Sequence, residues 1–296
     1  MTQIGFLACE TTLPGAGARR EDAFEHDLMI NALAPAFKNA GLELKVVDWE
    51  ADLSAFDGID LVLLGTAWNY QDKSDEFLGK LSALEDAGIA VCNSPETVQW
   101  NVSKTYLKDL EARGAHTIPT LWLDRVGAAE AQAAMAKFDC EKLVVKRQIG
   151  AGALGQELLK AGEIAADWRF DAPAMVQPFL TAIAEQGELS FIFIDGQLSH
   201  ALRKRAAKGE YRIQSMYGGF EEVYTPTPQE TAQADAIMAA LPFDRPLYAR
   251  IDMLAQDDGT LALMEAELIE PYLYPVQGPE LGDRLAAAIS KRLNSQ

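Results

Sequence analysis

Three carboxylates near the end of the chain, Asp252, Glu265 and Glu267, have the residue type and spacing to hold a cation. Residues two apart on a strand share a face, so Glu265 and Glu267 point the same way. The segment Tyr248–Pro271 reads as two apolar runs joined at Gln256–Gly259, where an Asp-Gly pair favours a tight hairpin. That hairpin brings Asp252 alongside the two glutamates. Like charges on one inward face repel unless a cation lies between them, and oxygen ligands without His or Cys select Mg²⁺ over zinc. The competing reading leaves these acids on the solvent side of an edge hairpin, and the hairpin alone does not choose. An acidic Ca²⁺-binding protein is a third reading, but no EF-hand pattern occurs.

A second group of residues suits phosphate. The apolar run Leu143–Val145 leads into Lys146 and the small-residue loop Gln148–Gly155, in which Gly150, Gly152 and Gly155 spell GxGxxG. A dinucleotide fold needs a long helix to open there, and Gln156–Lys160 is cut off by Ala161-Gly162. What remains is a loop whose backbone N–H groups close over phosphate oxygens, with Lys146 supplying positive charge. The alternative is a surface turn beside a lysine that extends into solvent. Met175–Leu180 is an apolar strand broken by Pro178, which leaves backbone groups beyond it to meet a ligand edge such as adenine. Arg203, Lys204, Arg205, Lys208 and Arg212 put five cations into ten residues. They either pair with surface acids such as Glu221 and Glu222 or stabilise phosphate charge in transfer.

The elements that must position these groups begin with strand Ile4–Cys9, helix Ala23–Ala40, and strands Leu44–Val47 and Leu61–Leu64. Helix Phe77–Ala87 and strand Ile89–Cys92 follow. This alternation predicts a small parallel α/β domain, with ligands beyond the carboxyl ends of its strands. Trp68, Asn69 and Tyr70 lie at such an end and either contact a small polar substrate or cap the domain edge. Asn93-Ser94-Pro95 marks a boundary. A helical stretch over Glu96–Arg113 then carries Lys104, and Glu188–Ile194 with Leu198–Leu202 forms a hairpin around Asp195-Gly196.

The 296 residues and 49% hydrophobic content allow two domains with a large core. A net charge of −18 opposes nucleic acid and anionic membrane as partners. Cys9, Cys92 and Cys140 form no CxxC pair and read as reduced thiols of a cytoplasmic protein. The N-terminus shows no signal segment, and no apolar run reaches bilayer length. His26, His116 and His200 are too scattered for a transition-metal site or a triad.

Taken in order, these pieces resemble the ATP-grasp superfamily, in particular bacterial glutathione-synthetase-like ligases, from about Asn93 to Pro271. The resemblance implies an α/β protein of the α+β ATP-grasp class. Residues 1–94 would be a parallel α/β substrate domain and 95–296 the ATP-grasp domain, with a lid at about 117–176 and a C-terminal antiparallel sheet. It implies ATP with one or two Mg²⁺. Lys104 and Lys146 would hold phosphates beneath a lid containing Gly150 and Gly152. Gln177, Pro178, Phe179 and Leu180 would meet adenine and Glu188 the ribose. Asp252, Glu265 and Glu267 match a metal set of Asp then Glu-x-Asn, with Glu267 a departure that adds charge. Lys204 and Arg212 match family arginines near the transferred phosphate, and Arg250 more loosely.

Within the superfamily, Val98–Asn101, Tyr211–Gln214 and Glu267–Pro271 resemble the D-cycloserine-forming cyclo-ligase and its relatives. Glu270 replaces a small polar residue of glutathione synthetase and so implies a different acceptor; with Trp68, Asn69 and Tyr70 it completes a substrate end. The implied reaction activates a small carboxylate as an acyl phosphate for attack by an amine, with ADP and phosphate released. A non-catalytic ATP-binding sensor is the alternative. Relatives commonly form homodimers, and the oligomeric state is left open.

Overall fold

A computed structural model describes residues 1–15, 17–150, 155–207, 218–256 and 258–294. Three sheets carry the fold. The first is parallel, in the order β2-β1-β3-β4, and is built from β1 (Thr2–Ala8), β2 (Leu42–Asp48), β3 (Leu61–Thr66) and β4 (Ala90–Cys92). Helix α1 (Ala23–Asn39) sets Met29, Leu33 and Phe37 against Ile4 and Phe6 on one face. Helix α2 (Ser74–Asp86) sets Phe77, Leu81 and Leu84 against Leu7 and Leu64 on the other. With both faces covered, β3 is buried along its whole length, as its unbroken apolar run requires.

The single helix predicted over Glu96–Arg113 is broken into α3 (Pro95–Asn101) and α4 (Tyr106–Ala112), and Lys104 sits in the turn between them. The cause is local. Asn101 turns its amide onto strand backbone, Thr105 Oγ1 donates to Ser103 Oγ at 3.0 Å, and the Lys104 N–H reaches the Gln148 carbonyl at 2.8 Å. Side-chain bonds of this kind compete with helix propagation.

The second sheet follows from β5 (Leu121–Leu123), β6 (Val126–Gly127), α5 (Ala128–Phe138), β7 (Lys142–Arg147), β8 (Glu157–Lys160), β9 (Arg169–Phe170) and β10 (Ala174–Pro178). Its order is β5-β10-β7-β8, and β6 pairs with β9 in a separate short ladder. Residues after Gly155 thus form a strand that returns along β7, which removes the dinucleotide reading of the glycine loop.

After the short α6 (Ala182–Glu185) come β11 (Glu188–Ile194), β12 (Gln197–Arg205), β13 (Phe220–Tyr224), α7 (Pro228–Ala239), β14 (Tyr248–Ala255) and β15 (Leu261–Glu267). They make an antiparallel sheet in the order β13-β12-β11-β14-β15. Asp195 and Gly196 turn the β11–β12 hairpin with φ of 49° and 74°, the positive values that suit an Asp-Gly pair there. Helix α8 (Leu281–Leu293) returns to pack on α1. At Gly282 a Cβ would lie 2.6 Å from the Ala32 carbonyl oxygen, so glycine permits the close approach. The core of α1 and α8 runs without a break into Ile192, Ile194 and Tyr248 of the third sheet.

His200 on β12 fixes the segment that follows β15. Its Nε2 is 3.0 Å from the Leu273 carbonyl and its Nδ1 is 3.1 Å from Ser199 Oγ, the pattern of a neutral ring. Burial pushes its pKa down to about 4, below the ordinary 6.5. A depressed histidine contributes stability that is complete above pH 6.5 and is lost as pH falls towards 4. We expect on the order of 3 kcal/mol to disappear across that window. Between pH 7 and pH 4.5, stability to urea should change less favourably on acidification in wild type than in His200→Gln, and that difference isolates the histidine.

Candidate active site

A cavity of about 520 Å³ opens where the three sheets meet, and its walls are chemically distinct. Ile118, Val144, Leu180, Ile183, Leu254 and Met264 make an apolar slot on one side. Gln177 borders it, buried, with its amide nitrogen donating to Thr120 Oγ1 at 2.9 Å. Pro178, Phe179 and Leu180 also line it. One expectation needs correction here: the Phe179 N–H beyond the proline is already bonded to the Lys142 carbonyl at 3.0 Å, because β10 continues its pairing past Pro178.

Strand register assembles the opposite, charged wall. The β14–β15 pairing sets Asp252 opposite Glu265 and Arg250 opposite Glu267. The β11–β12 pairing sets Glu188 opposite Lys204, and β11–β14 sets Ser190 opposite Asp252. Lys204 Nζ consequently donates to Glu188 Oε1 at 2.8 Å and to Asp252 Oδ2 at 3.2 Å, while Ser190 Oγ donates to Asp252 Oδ1 at 2.5 Å. Arg250 Nε donates to Asp252 at 3.1 Å, its Nη2 to Glu267 and its Nη1 to the Tyr272 carbonyl at 3.1 Å. Lys104 pairs with Glu265. The ring of Tyr274 lies 5.3 Å from Lys204 Nζ and 5.6 Å from the Arg250 guanidinium carbon.

Buried amides hold β15 in this register. Asn101 donates to the Ala266 carbonyl at 2.8 Å and accepts from the Leu268 N–H at 3.0 Å, and Tyr106 Oη accepts from the Ala266 N–H at 2.9 Å. Asn93 donates to the carbonyls of Tyr248 and Leu268 and accepts from the Leu247 N–H at 2.6 Å. The acids therefore face a cavity, and the reading that leaves them on an outer surface fails.

Crowded burial shifts these groups. Desolvation lifts Glu188 and Glu267 to about 7 against the pull of Lys204 and Arg250, respectively, and lifts Glu270 to about 8 with Glu267 adding repulsion. Asp252 stays below its ordinary value because Arg250 and Lys204 outweigh its burial. Burial lowers Lys146, and the neighbouring charge of Lys104 lowers it further. For Lys104 the contact with Glu265 overcomes the burial cost and raises it.

The cavity gathers Lys104, Lys146, Gly150 and Glu188 with Lys204, Arg250, Asp252, Glu265 and Glu267, and at its outer end Trp68, Asn69 and Glu270. Tyr70 is not among its lining residues: its ring is buried 5.3 Å from Phe77 in the first sheet's core. Gly152, Lys208 and Arg212 lie outside the described residues. Arg203 and Arg205 alternate with Lys204 and pair outward with Glu222, as the surface-pairing reading anticipates. Among the described residues no three His, Cys, Asp or Glu side chains converge on one point, because Lys104, Lys204 and Arg250 lie between the carboxylates. Sequence reasoning missed Arg20, Ser190, Tyr272 and Tyr274. Ser190 was findable, two residues from Glu188 on the same strand face; Tyr272 and Tyr274 reach the site from a segment that no periodicity marks.

The comparisons with known proteins agree with this geometry. A family model for the N-terminal domain of D-cycloserine synthetase DcsG matches residues 4–93. The cycloserine biosynthesis protein DcsG of Streptomyces lavendulae is 26% identical over 281 residues, 88% of this chain and 92% of that protein. The crystal structure of D-cycloserine synthetase DcsG superposes with a TM-score of 0.80 at 22% identity, covering 98% of this chain and 99% of the other. The ATP-grasp ligase PsnB, solved with a precursor variant, Mg and ADP, gives a TM-score of 0.65 at 18% identity over 98% of each chain. The fold is that of an ATP-grasp ligase. Among the described residues no helix is long and apolar enough to cross a membrane.

Proposed function

We propose that the chain binds ATP with Mg²⁺ and uses it to activate a small carboxylate for attack by an amine. Residues 1–94 would serve the substrate side and 95–296 the nucleotide side. The single observation that carries this is the pairing, in one cavity, of an apolar slot with a wall of lysines and buried acids. The slot has the polarity for a purine. Among the described residues the buried Glu188 Oε2 has no hydrogen-bond partner, so it can accept from a hydroxyl such as that of a ribose. Lys104 and Lys146 line the same cavity, where phosphates would extend.

The donor set also suits magnesium. Mg²⁺ is usually held by one or two carboxylates together with substrate phosphates, not by a protein cage. Asp252, Glu265 and Glu267 would supply the carboxylates, and the cations beside them would exchange onto phosphate. Bound there, the ion would neutralise charge on the transferred phosphoryl group. Carboxylates are poor electrophiles, since oxide is a bad leaving group. Phosphoryl transfer to the carboxylate oxygen makes an acyl phosphate, and the amine then displaces phosphate and forms a C–N bond. Positioning and charge neutralisation would supply most of the rate, with Lys204 and Arg250 beside the carboxylates.

Calorimetry should show heat when ATP is added with magnesium and much less without it. Metal-dependent ADP release should then appear with some member of a panel of amino acids and small carboxylates. Absence of heat with Mg²⁺-ATP overturns the proposal. Binding without ADP release across the panel would favour the sensor reading.

A further inference from the structure

The cavity's acids are not equivalent in their partners. Glu265 has Lys104, Glu267 has Arg250, Asp252 has both Lys204 and Arg250, and Glu188 has Lys204. Glu270 lines the same cavity, yet among the described residues no cation comes within 4.0 Å of its carboxylate. Its place is fixed. Trp68 Nε1 donates to the Glu270 carbonyl at 3.0 Å, and Pro271 follows directly. Trp68 carries the Arg20 guanidinium over its ring at 4.9 Å, and Arg20 is bound through Nε and Nη2 to Asp22. Glu270 thus lines the cavity beside Trp68, held there through its own backbone carbonyl.

A largely enclosed carboxylate with no counter-charge is costly, and the cost is relieved by a proton or by a cation brought in with a ligand. We propose that Glu270 selects the acceptor by binding its primary ammonium group, so that the second substrate is an amino-acid-like amine and not a hydroxy acid. This rests on the ligase reading above. Without ligand the carboxyl holds a proton, in keeping with its raised pKa of about 8. An arriving ammonium displaces that proton to solvent and takes its place as the positive partner. Glu270 is in this account a specificity residue; phosphoryl transfer is served by other groups.

The test uses the full chain saturated with Mg²⁺ and a non-hydrolysable ATP analogue. Alanine and serine of both hands are titrated beside lactate and glycerate, their hydroxyl counterparts. At least one amino acid should bind roughly tenfold to a hundredfold tighter than its counterpart, the worth of a charged hydrogen bond. Glu270→Gln should abolish that preference while the melting temperature and the affinity for the analogue with Mg²⁺ stay unchanged. Glu270→Asp, which keeps the charge but shortens its reach, should retain part of the preference. Equal binding of amino and hydroxy compounds, a preference that survives in Glu270→Gln, or no amino-acid binding to the wild-type complex would each overturn the proposal. Failure of the nucleotide analogue itself to bind is a separate result, which strikes the ligase reading first.

Discussion

Lys146→Ala is expected to cut Mg²⁺-dependent ADP release by about a hundredfold to a thousandfold, the usual loss when one charge-stabilising donor leaves a phosphoryl or acyl transfer site. The fold should be unaffected. Lys146 lies one residue from the end of β7 and lines the cavity, near enough to Lys104 for the two charges to repel. Removing one of two neighbouring cations relieves that repulsion, so the melting temperature should hold or rise slightly. Lys146→Met keeps most of the side-chain volume and separates the charge from packing. A variant that releases ADP at the wild-type rate would remove this lysine from the mechanism. Loss of activity together with loss of melting temperature would mean that its role is structural.

Arg250→Ala should instead be a stability variant. The guanidinium is buried among Asp252, Glu267 and the Tyr272 carbonyl, with Tyr274 beside it. Truncation leaves two buried carboxylates with Lys204 alone to balance them, and orphaned buried charge typically costs about 3–5 kcal/mol. Urea unfolding at pH 7 should show that loss. The sign of its pH dependence is fixed. Without arginine both acids have higher pKa values in the folded state than in wild type, so the defect grows with pH: the share from Glu267, near 7 in wild type, is lost as pH falls towards 7, and the share from Asp252, held below its ordinary value, is lost only in the acid range. Arg250→Lys should recover only part of the stability, because an ammonium cannot reproduce the fork that spans both acids. A defect independent of pH would point to lost packing instead.

Much of this was legible in the chain before its fold was known. The β14–β15 hairpin, its Asp-Gly turn and the shared face of Glu265 and Glu267 follow from period-two alternation, and register then brought Asp252 opposite Glu265. Lys146 was marked by the apolar strand that ends on it. Lys104 was found through resemblance, while the helix drawn through it was wrong, since side-chain bonds from Asn101 and Ser103 are tertiary and local choices that helix propensity does not contain. Tyr70 looked like Trp68 in sequence, yet it is buried against Phe77 while Trp68 lines the cavity. The cations between the acids were also out of reach, because spacing along one strand says nothing about what the next strand places opposite.

The division of the hydrophobic core has a mechanical consequence. One core runs from α1 and α8 through the first sheet into the third, whereas one face of the second sheet packs with α5, β6 and β9 and its other face joins the third sheet's core through Met175. The first sheet and the charged wall thus share one core, so the spacing between the Trp68 end of the cavity and its acids is set at folding.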